Sequence, residues 1–174
     1  MANTKMTDSA SVVSKGRIPL KEILHASQDP ANVPLGLVDT YRQKVLTQKT
    51  RTIRLLGRKS SAKIIHTLLG YEVKASNKRI HCPDLVTARY LKIFAELGCH
   101  SIKLPYDPTI TALLIADLEG AMQEIIKAIR RLFSRDFKRQ QYVSRGIYRI
   151  VRRQIRAAQK THSASLPLNE FSPE

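Results

Sequence analysis

Hydrophobic residues recur every three or four positions along much of the chain, which is the spacing of amphipathic helices. The clearest example is the segment 135–160, whose apolar residues fall on one side of a helical wheel: Val143, Ile147, Ile150, Val151, Ile155 and Ala158. Asp107 and Pro108 predict the start of another helix, because both residue types are favoured at helix N-termini. We expect it to run to about Phe133, and Asp136 offers a new cap for the last helix.

Capping residues and glycines divide the first hundred residues into shorter segments. Four helices are predicted there: 19–27, Asp39 to about Leu56, 62–69 after a cap at Ser60 or Ser61, and 85–97 between Asp84 and Gly98. The last three are each followed by a glycine, a residue that commonly terminates helices.

Two short stretches break the helical spacing. Tyr71–Ala75 and Arg79–Cys82 flank the sequence Ser-Asn-Lys, in which asparagine tolerates a turn conformation. A β-hairpin is therefore predicted at about 71–82. The stretch SIKL before Pro105 is a candidate third strand.

The predicted elements are mostly helical, and composition agrees with this. The 174 residues are 43% hydrophobic but only 6% aromatic, with no tryptophan, which is typical of helices packed through Leu, Ile, Val and Ala. We predict a mainly α fold, a compact bundle of five or six helices with one small hairpin. It would form a single domain over residues 18–160, between flexible tails at 1–17 and 161–174.

An α+β alternative is a winged-helix-like N-terminal half. Helix, short turn, helix and hairpin follow one another in the order of a winged helix-turn-helix, whose second helix enters the major groove of DNA. Ser60, Ser61 and Lys63 would then begin the recognition helix. Further cations would contact phosphates from the turn and the hairpin: Arg58, Lys59, Lys78 and Arg79. Without a winged fold, the basic stretch 42–80 is predicted to be a phosphate-binding lobe that contains the same cations.

The net positive charge of the chain suggests that it binds a negatively charged partner. The chain has 30 Lys and Arg against 14 Asp and Glu, a formal net charge of +16. Residues 42–80 contain 11 cations and one acid, and residues 127–160 contain 12 cations and one acid. Self-repulsion on this scale is relieved by a polyanion, and nucleic acid is the commonest one.

The last predicted helix concentrates this charge on one side. On a helical wheel its cations fall within about 100° of arc: Lys138, Arg145, Arg149, Arg152, Arg153, Arg156 and Lys160. Like charges one turn apart cost roughly 0.2–0.5 kcal/mol per pair, and no carboxylate lies nearby in sequence. We therefore predict that this face binds a polyanion. Tyr142 and Tyr148 lie near it, where each could stack on an unpaired base or pack against the core.

No metal, cofactor or catalytic site is predicted. The pairs His81-Cys82 and Cys99-His100 lack the ligand spacing of a zinc site, and no glycine-rich phosphate-binding loop is present. Three acids of one predicted helix do not converge: Asp117, Glu119 and Glu124. His66 is expected to pack in the core.

Two cysteines are too few for a disulfide framework, and no apolar run is long enough to span a membrane. We expect a cytoplasmic or nucleoid-associated protein that binds DNA or RNA through phosphates and is not an enzyme. One alternative is a small helical subunit of a larger nucleoprotein complex, such as an RNA-guided surveillance complex. Another is a protein whose basic helix lies on an anionic membrane surface.

Overall fold

The structure, a computed structural model, describes residues 35–132 and 136–165. These residues form four α-helices and five strands in two antiparallel sheets. The fold is therefore α+β, and the prediction of a mainly helical bundle of five or six helices is wrong.

In chain order the elements are α1 (Leu35–Thr40), a π-helical turn that continues it (Tyr41–Val45), β1 (Thr50–Arg54), β2 (Ala62–Thr67), β3 (Gly70–Ala75), β4 (Lys78–Cys82), α2 (Leu85–Leu97), β5 (Ser101–Pro105), α3 (Pro108–Leu132) and α4 (Phe137–Ser165). Strands β2, β3 and β4 form a three-stranded meander that packs on α2. Strands β1 and β5 form a separate antiparallel pair.

Two segments that were predicted as helices consist partly of strand. The segment predicted as a helix from Asp39 contains only the end of α1 and the π-helical turn, and then enters β1. The segment 62–69 is β2 and a turn, although its four large aliphatic residues have helical spacing. Pairing with β3 places Ile64 opposite Val73, and this tertiary contact outweighs local propensity. Because 62–67 is a strand, the winged-helix alternative is wrong as well.

The other elements follow the predictions. The hairpin is confirmed as β3–β4, and the SIKL strand is confirmed as β5, although its partner is β1. Asp84 caps α2 by accepting a hydrogen bond from the Thr87 backbone N–H at 2.7 Å. Asp136 caps α4 through the Arg139 N–H at 3.0 Å. Helix α4 continues to Ser165, five residues beyond the predicted end.

The core lies between α2, the sheets and the apolar sides of α3 and α4. Five of the six α4 residues predicted to face the core are buried: Val143, Ile147, Val151, Ile155 and Ala158. The Tyr41 hydroxyl accepts hydrogen bonds from the Lys103 N–H at 2.9 Å and from Gln159 Nε2 at 2.8 Å. These bonds fix the C-terminal half of α4 beside β5. The predicted helix at 19–27, the tail at 1–17 and residues 166–174 lie outside the described residues.

Candidate nucleic-acid interface

A long groove follows the cationic side of α4. It consists of two hollows of about 720 and 680 Å³ that share the lining residues Gly57, Arg149 and Arg152. Helix α4 forms one wall, and the loop 57–61 with the turn 98–101 forms the other. We call this feature the α4 groove.

Backbone hydrogen bonds hold the two loops of the groove together. The Leu55 N–H donates to the His100 carbonyl at 2.7 Å, and the Gly57 N–H donates to the Cys99 carbonyl at 3.0 Å. These bonds extend the β1–β5 pairing beyond the strands. At Gly98, where φ is +79°, a Cβ atom would clash with the backbone of Lys59. Glycine there ends α2 and also allows the loop to pack against it.

Lys59 joins the loop to α4. Its Nζ lies 4.3 Å from the centroid of the Tyr148 ring and donates a 3.4 Å hydrogen bond to Ser144 Oγ. Burial, followed by repulsion from Arg145, lowers the pKa of Lys59. Tyr148 is only 7% exposed, so it packs against the core, whereas Tyr142 is 54% exposed. Of the two alternatives that sequence left open, Tyr148 therefore packs against the core, whereas the Tyr142 ring is exposed to solvent.

Four arginines of α4 project into or beside the groove with exposed side chains: Arg145, Arg149, Arg153 and Arg156. None of them has a carboxylate partner among residues 35–132 and 136–165. Seven other cations do form ion pairs within the same part of the chain. The available acids are thus used elsewhere on the surface.

Arg152 differs from its neighbours on the same face. Its side chain is half-buried, and Nη1 donates to the Gly98 carbonyl at 3.2 Å while Nε donates to the Tyr148 carbonyl at 3.3 Å. These contacts join α4 to the end of α2. Arg152 therefore contributes to the shape of the groove as well as to its charge.

The structure brings together seven of the twelve residues predicted to bind nucleic acid: Arg58, Lys59, Arg145, Arg149, Arg152, Arg153 and Arg156. Lys138 and Lys160 are exposed on α4 but do not line the groove. Lys63, Lys78 and Arg79 lie on the three-stranded sheet.

The three sheet cations have different surroundings. Lys78 Nζ donates to the Arg54 carbonyl at 2.9 Å and so ties β4 to the end of β1. Arg79 lies 3.6 Å from Glu72, which partly neutralises it. Lys63 is exposed and stands opposite Lys74 on the neighbouring strand. Lys63 and Lys74 are thus one like-charged pair without a carboxylate partner among the described residues, but Lys78 and Arg79 both have partners. The sheet therefore presents fewer unpaired cations than α4 and is a weaker candidate for anion binding.

Several groove residues carried no signal in the sequence. Gln141 and Ser144 supply polar groups from α4, and His100 and Ser101 supply them from the turn before β5. Among the described residues, Glu96 is the single acid that lines the groove. Burial raises its pKa, and Lys92 lies 3.9 Å from its carboxylate. Only the packing of the turn beside α4, a long-range contact, assembles these residues.

The described residues contain no group of three or more His, Cys, Asp or Glu side chains placed to hold a metal ion. Both cysteines are buried free thiols, and burial raises the pKa of Cys82 to about 11 and that of Cys99 to about 12. His66, predicted to lie in the core, is instead exposed on β2 with its ring 5.0 Å from that of Tyr71.

Comparisons with protein-family models, curated proteins and solved structures gave no match to this chain. Among the described helices, none combines the length and apolar character needed to cross a membrane. The side chains that line the α4 groove are therefore the basis on which a function can be assigned.

Proposed function

We propose that this protein binds nucleic acid through its phosphate groups along the α4 groove, without catalysing a reaction. The exposed arginines of α4 would contact the phosphates, and Arg58 and Lys59 would contribute from the opposite wall. Arginine suits this task because its planar guanidinium group binds a phosphate through two parallel hydrogen bonds.

The lack of carboxylate partners for the α4 arginines, within the described residues, supports this function most. Helix α4 has eight Lys and Arg residues and no acid within its own span. Like charges one turn apart destabilise a helix, and Arg145/Arg149 and Arg149/Arg153 are such pairs. A polyanion bound to this surface would neutralise the repelling cations. Binding would also be favoured because counterions are released from the nucleic acid.

The concave form of the surface is a second support. The arginines lie along a groove with polar groups on both walls, including Ser61 and Ser144. Hydroxyl groups contact nucleic-acid backbones alongside Arg and Lys. A bound strand would thus meet charge and hydrogen-bond donors together.

Salt-dependent binding tests this proposal. The affinity of the wild-type protein for a labelled oligonucleotide should fall steeply with salt in a plot of log K against log[salt]. Changing Arg145, Arg149, Arg153 and Arg156 to Gln should reduce the slope by roughly 3–4, about one for each lost phosphate contact. Arg152 is left unchanged because it also holds the fold.

A matched variant separates the groove from net charge. Arg42, Lys44, Lys92 and Lys127 are paired with acids elsewhere on the surface. Changing these four residues to Gln alters net charge by the same amount and should leave most of the salt slope intact. A flat slope for the wild-type protein, or equal losses in the two variants, would contradict the proposal.

A second candidate function is that of a subunit in a larger nucleoprotein assembly. Leu68 and Leu69, in the turn between β2 and β3, are 104% and 83% exposed. Adjacent exposed leucines are a feature of protein contact surfaces. A partner protein should then co-purify after nuclease treatment, and the change Leu68→Ser with Leu69→Ser should release it.

A further inference from the structure

We infer that the α4 groove takes single-stranded rather than base-paired nucleic acid, and that the Tyr142 ring stacks on an unpaired base at one end of it. This inference rests on the proposed function and specifies its ligand. Its chemistry is shared by DNA and RNA single strands, so both are included in the test.

Tyr142 is an exposed aromatic residue within the cationic face of α4. It follows Lys138 by four residues and precedes Arg145 by three, so the three side chains lie on the same side of the helix. Its side chain is 54% exposed. Among the described residues, no ring contact or hydrogen bond holds it. The ring is therefore free to meet a ligand.

The position of Tyr142 fits the end of the groove. Gln141 and Arg145, its neighbours along and around the helix, both line the groove. From Gln141 to Gln159 the groove follows α4 for about 27 Å at 1.5 Å per residue. A strand lying along the arginines would bring a base close to the Tyr142 ring as it leaves the groove.

A single strand and a duplex differ in what they offer this surface. Both present phosphates, but the bases of a duplex are stacked on one another and show only their edges in the grooves. The face of a tyrosine ring can stack only on an unpaired base, and such stacking is the usual partner of a basic groove in single-strand binding. An exposed aromatic residue in a basic face therefore favours the single strand.

Binding measured by fluorescence polarisation tests the inference. Labelled oligonucleotides of about 12 nucleotides, as single-stranded DNA, single-stranded RNA and duplex DNA, would be titrated with the wild-type protein. Tyr142→Ala should weaken single-strand binding roughly ten-fold or more, while Tyr142→Phe retains the ring and should bind like the wild type. Duplex binding, where present, should not respond to Tyr142→Ala.

Tyr106 provides the matched control. It is 59% exposed, at the end of β5, and does not line the groove. Tyr106→Ala removes an equally exposed ring and should leave affinity unchanged. An oligonucleotide of the same length composed of abasic sugar-phosphate units should bind more weakly, and Tyr142→Ala should then have no further effect.

The outcomes separate this inference from the proposed function. The inference is supported if single strands bind more tightly than the duplex and only Tyr142→Ala lowers that affinity. It then applies to the kind of single strand, DNA or RNA, whose affinity falls. Equal or tighter duplex binding overturns it, and so do equal affinities of Tyr142→Ala and Tyr106→Ala. In either case a steep salt slope that depends on the arginines would leave the proposed function in place. Absence of binding to all three ligands would remove both.

Discussion

The two long helices of this protein use charge in opposite ways. Helix α3 carries three acids, and each contacts a cation: Lys44 lies 2.7 Å from Asp117, Arg89 Nε lies 2.9 Å from Glu119, and Lys127 lies 2.8 Å from Glu124. Helix α4 is capped by Asp136, which pairs with Arg139 at 3.2 Å. No carboxylate of the described residues pairs with the cations after that first turn.

The difference shows where charge serves the fold and where it remains available. Surface ion pairs such as those of α3 add little stability, typically up to about 1 kcal/mol each, but they neutralise the surface around them. On α4 the Lys and Arg side chains after the first turn have no carboxylate partner among the described residues, so they continue to repel one another. Helix α4 has eight cations against three on α3, and the ion pairs show in addition which of the two surfaces is neutralised within the described residues.

Reversing charge on α4 should produce the largest effect. Arg149→Glu with Arg156→Glu would place carboxylates among arginines and make α4 resemble α3. Affinity for nucleic acid should fall roughly 100-fold at 0.1 M salt, because two phosphate contacts are lost. Thermal stability at low salt should rise, because each new carboxylate would lie one turn from a cation.

The corresponding change beside α3 should act in the opposite direction. Lys44→Glu with Lys127→Glu alters net charge equally but places carboxylates beside Asp117 and Glu124. The melting temperature of this double variant should fall. Its affinity for nucleic acid should change far less than that of the α4 variant. Melting curves that move in the same direction for both variants would break the distinction between the helices.

Arg152 allows the same comparison, between cations with and without partners in the protein, to be made within α4. Its hydrogen bonds to the carbonyls of Gly98 and Tyr148 make it a residue of the fold, like the paired cations around α3. Arg152→Gln should lower the free energy of unfolding by about 1–2 kcal/mol, measured by urea denaturation. Arg153→Gln removes an adjacent exposed arginine and should leave stability unchanged or raise it by up to about 0.5 kcal/mol, because it relieves the repulsion with Arg149. Equal effects would mean that the contacts of Arg152 contribute nothing.

Sequence predicted α2, α3, α4 and the β3–β4 hairpin because each is marked by local signals. Asp84 and Gly98 bound α2, and Asp136 caps α4, as helix-capping rules require. The segment 62–69 misled the prediction because Ile64, Ile65, Leu68 and Leu69 have the spacing of a buried helical face. In the structure only Ile64 packs against the core, and both leucines are exposed in a turn.

Sequence named residues on both walls of the candidate site, including Arg58 and Lys59, but it predicted the geometry of only the α4 wall. The α4 arginines follow from helical periodicity, which sequence displays directly. The opposite wall depends on Gly98 touching the loop at Lys59 and on His100 pairing with Leu55, contacts between distant parts of the chain. The hydrogen bond of Arg152 to the Gly98 carbonyl depends on the same long-range packing. Sequence therefore could not distinguish Arg152 from the exposed arginines beside it.

The smallest predicted effect concerns the repulsion that distinguishes α4 from α3. Arg145 contributes to the lowered pKa of Lys59, after burial. Arg145→Gln should therefore raise that pKa, which NMR titration of the Lys59 side chain would measure. Arg153→Gln makes the same charge change farther along α4 and should move the pKa less.

The sign of the accompanying stability change follows from the two states of Lys59. Because its pKa is lower in the folded protein than the ordinary value of 10.5, charging Lys59 costs folding free energy at neutral pH, and this cost disappears as pH rises toward 10.5. Arg145→Gln should thus stabilise the free protein at neutral pH but not at high pH. The side chain is largely exposed, so solvent screening keeps the gain below about 0.5 kcal/mol. A pKa of Lys59 that is the same with and without Arg145 would show that the cations of the two groove walls do not repel each other measurably.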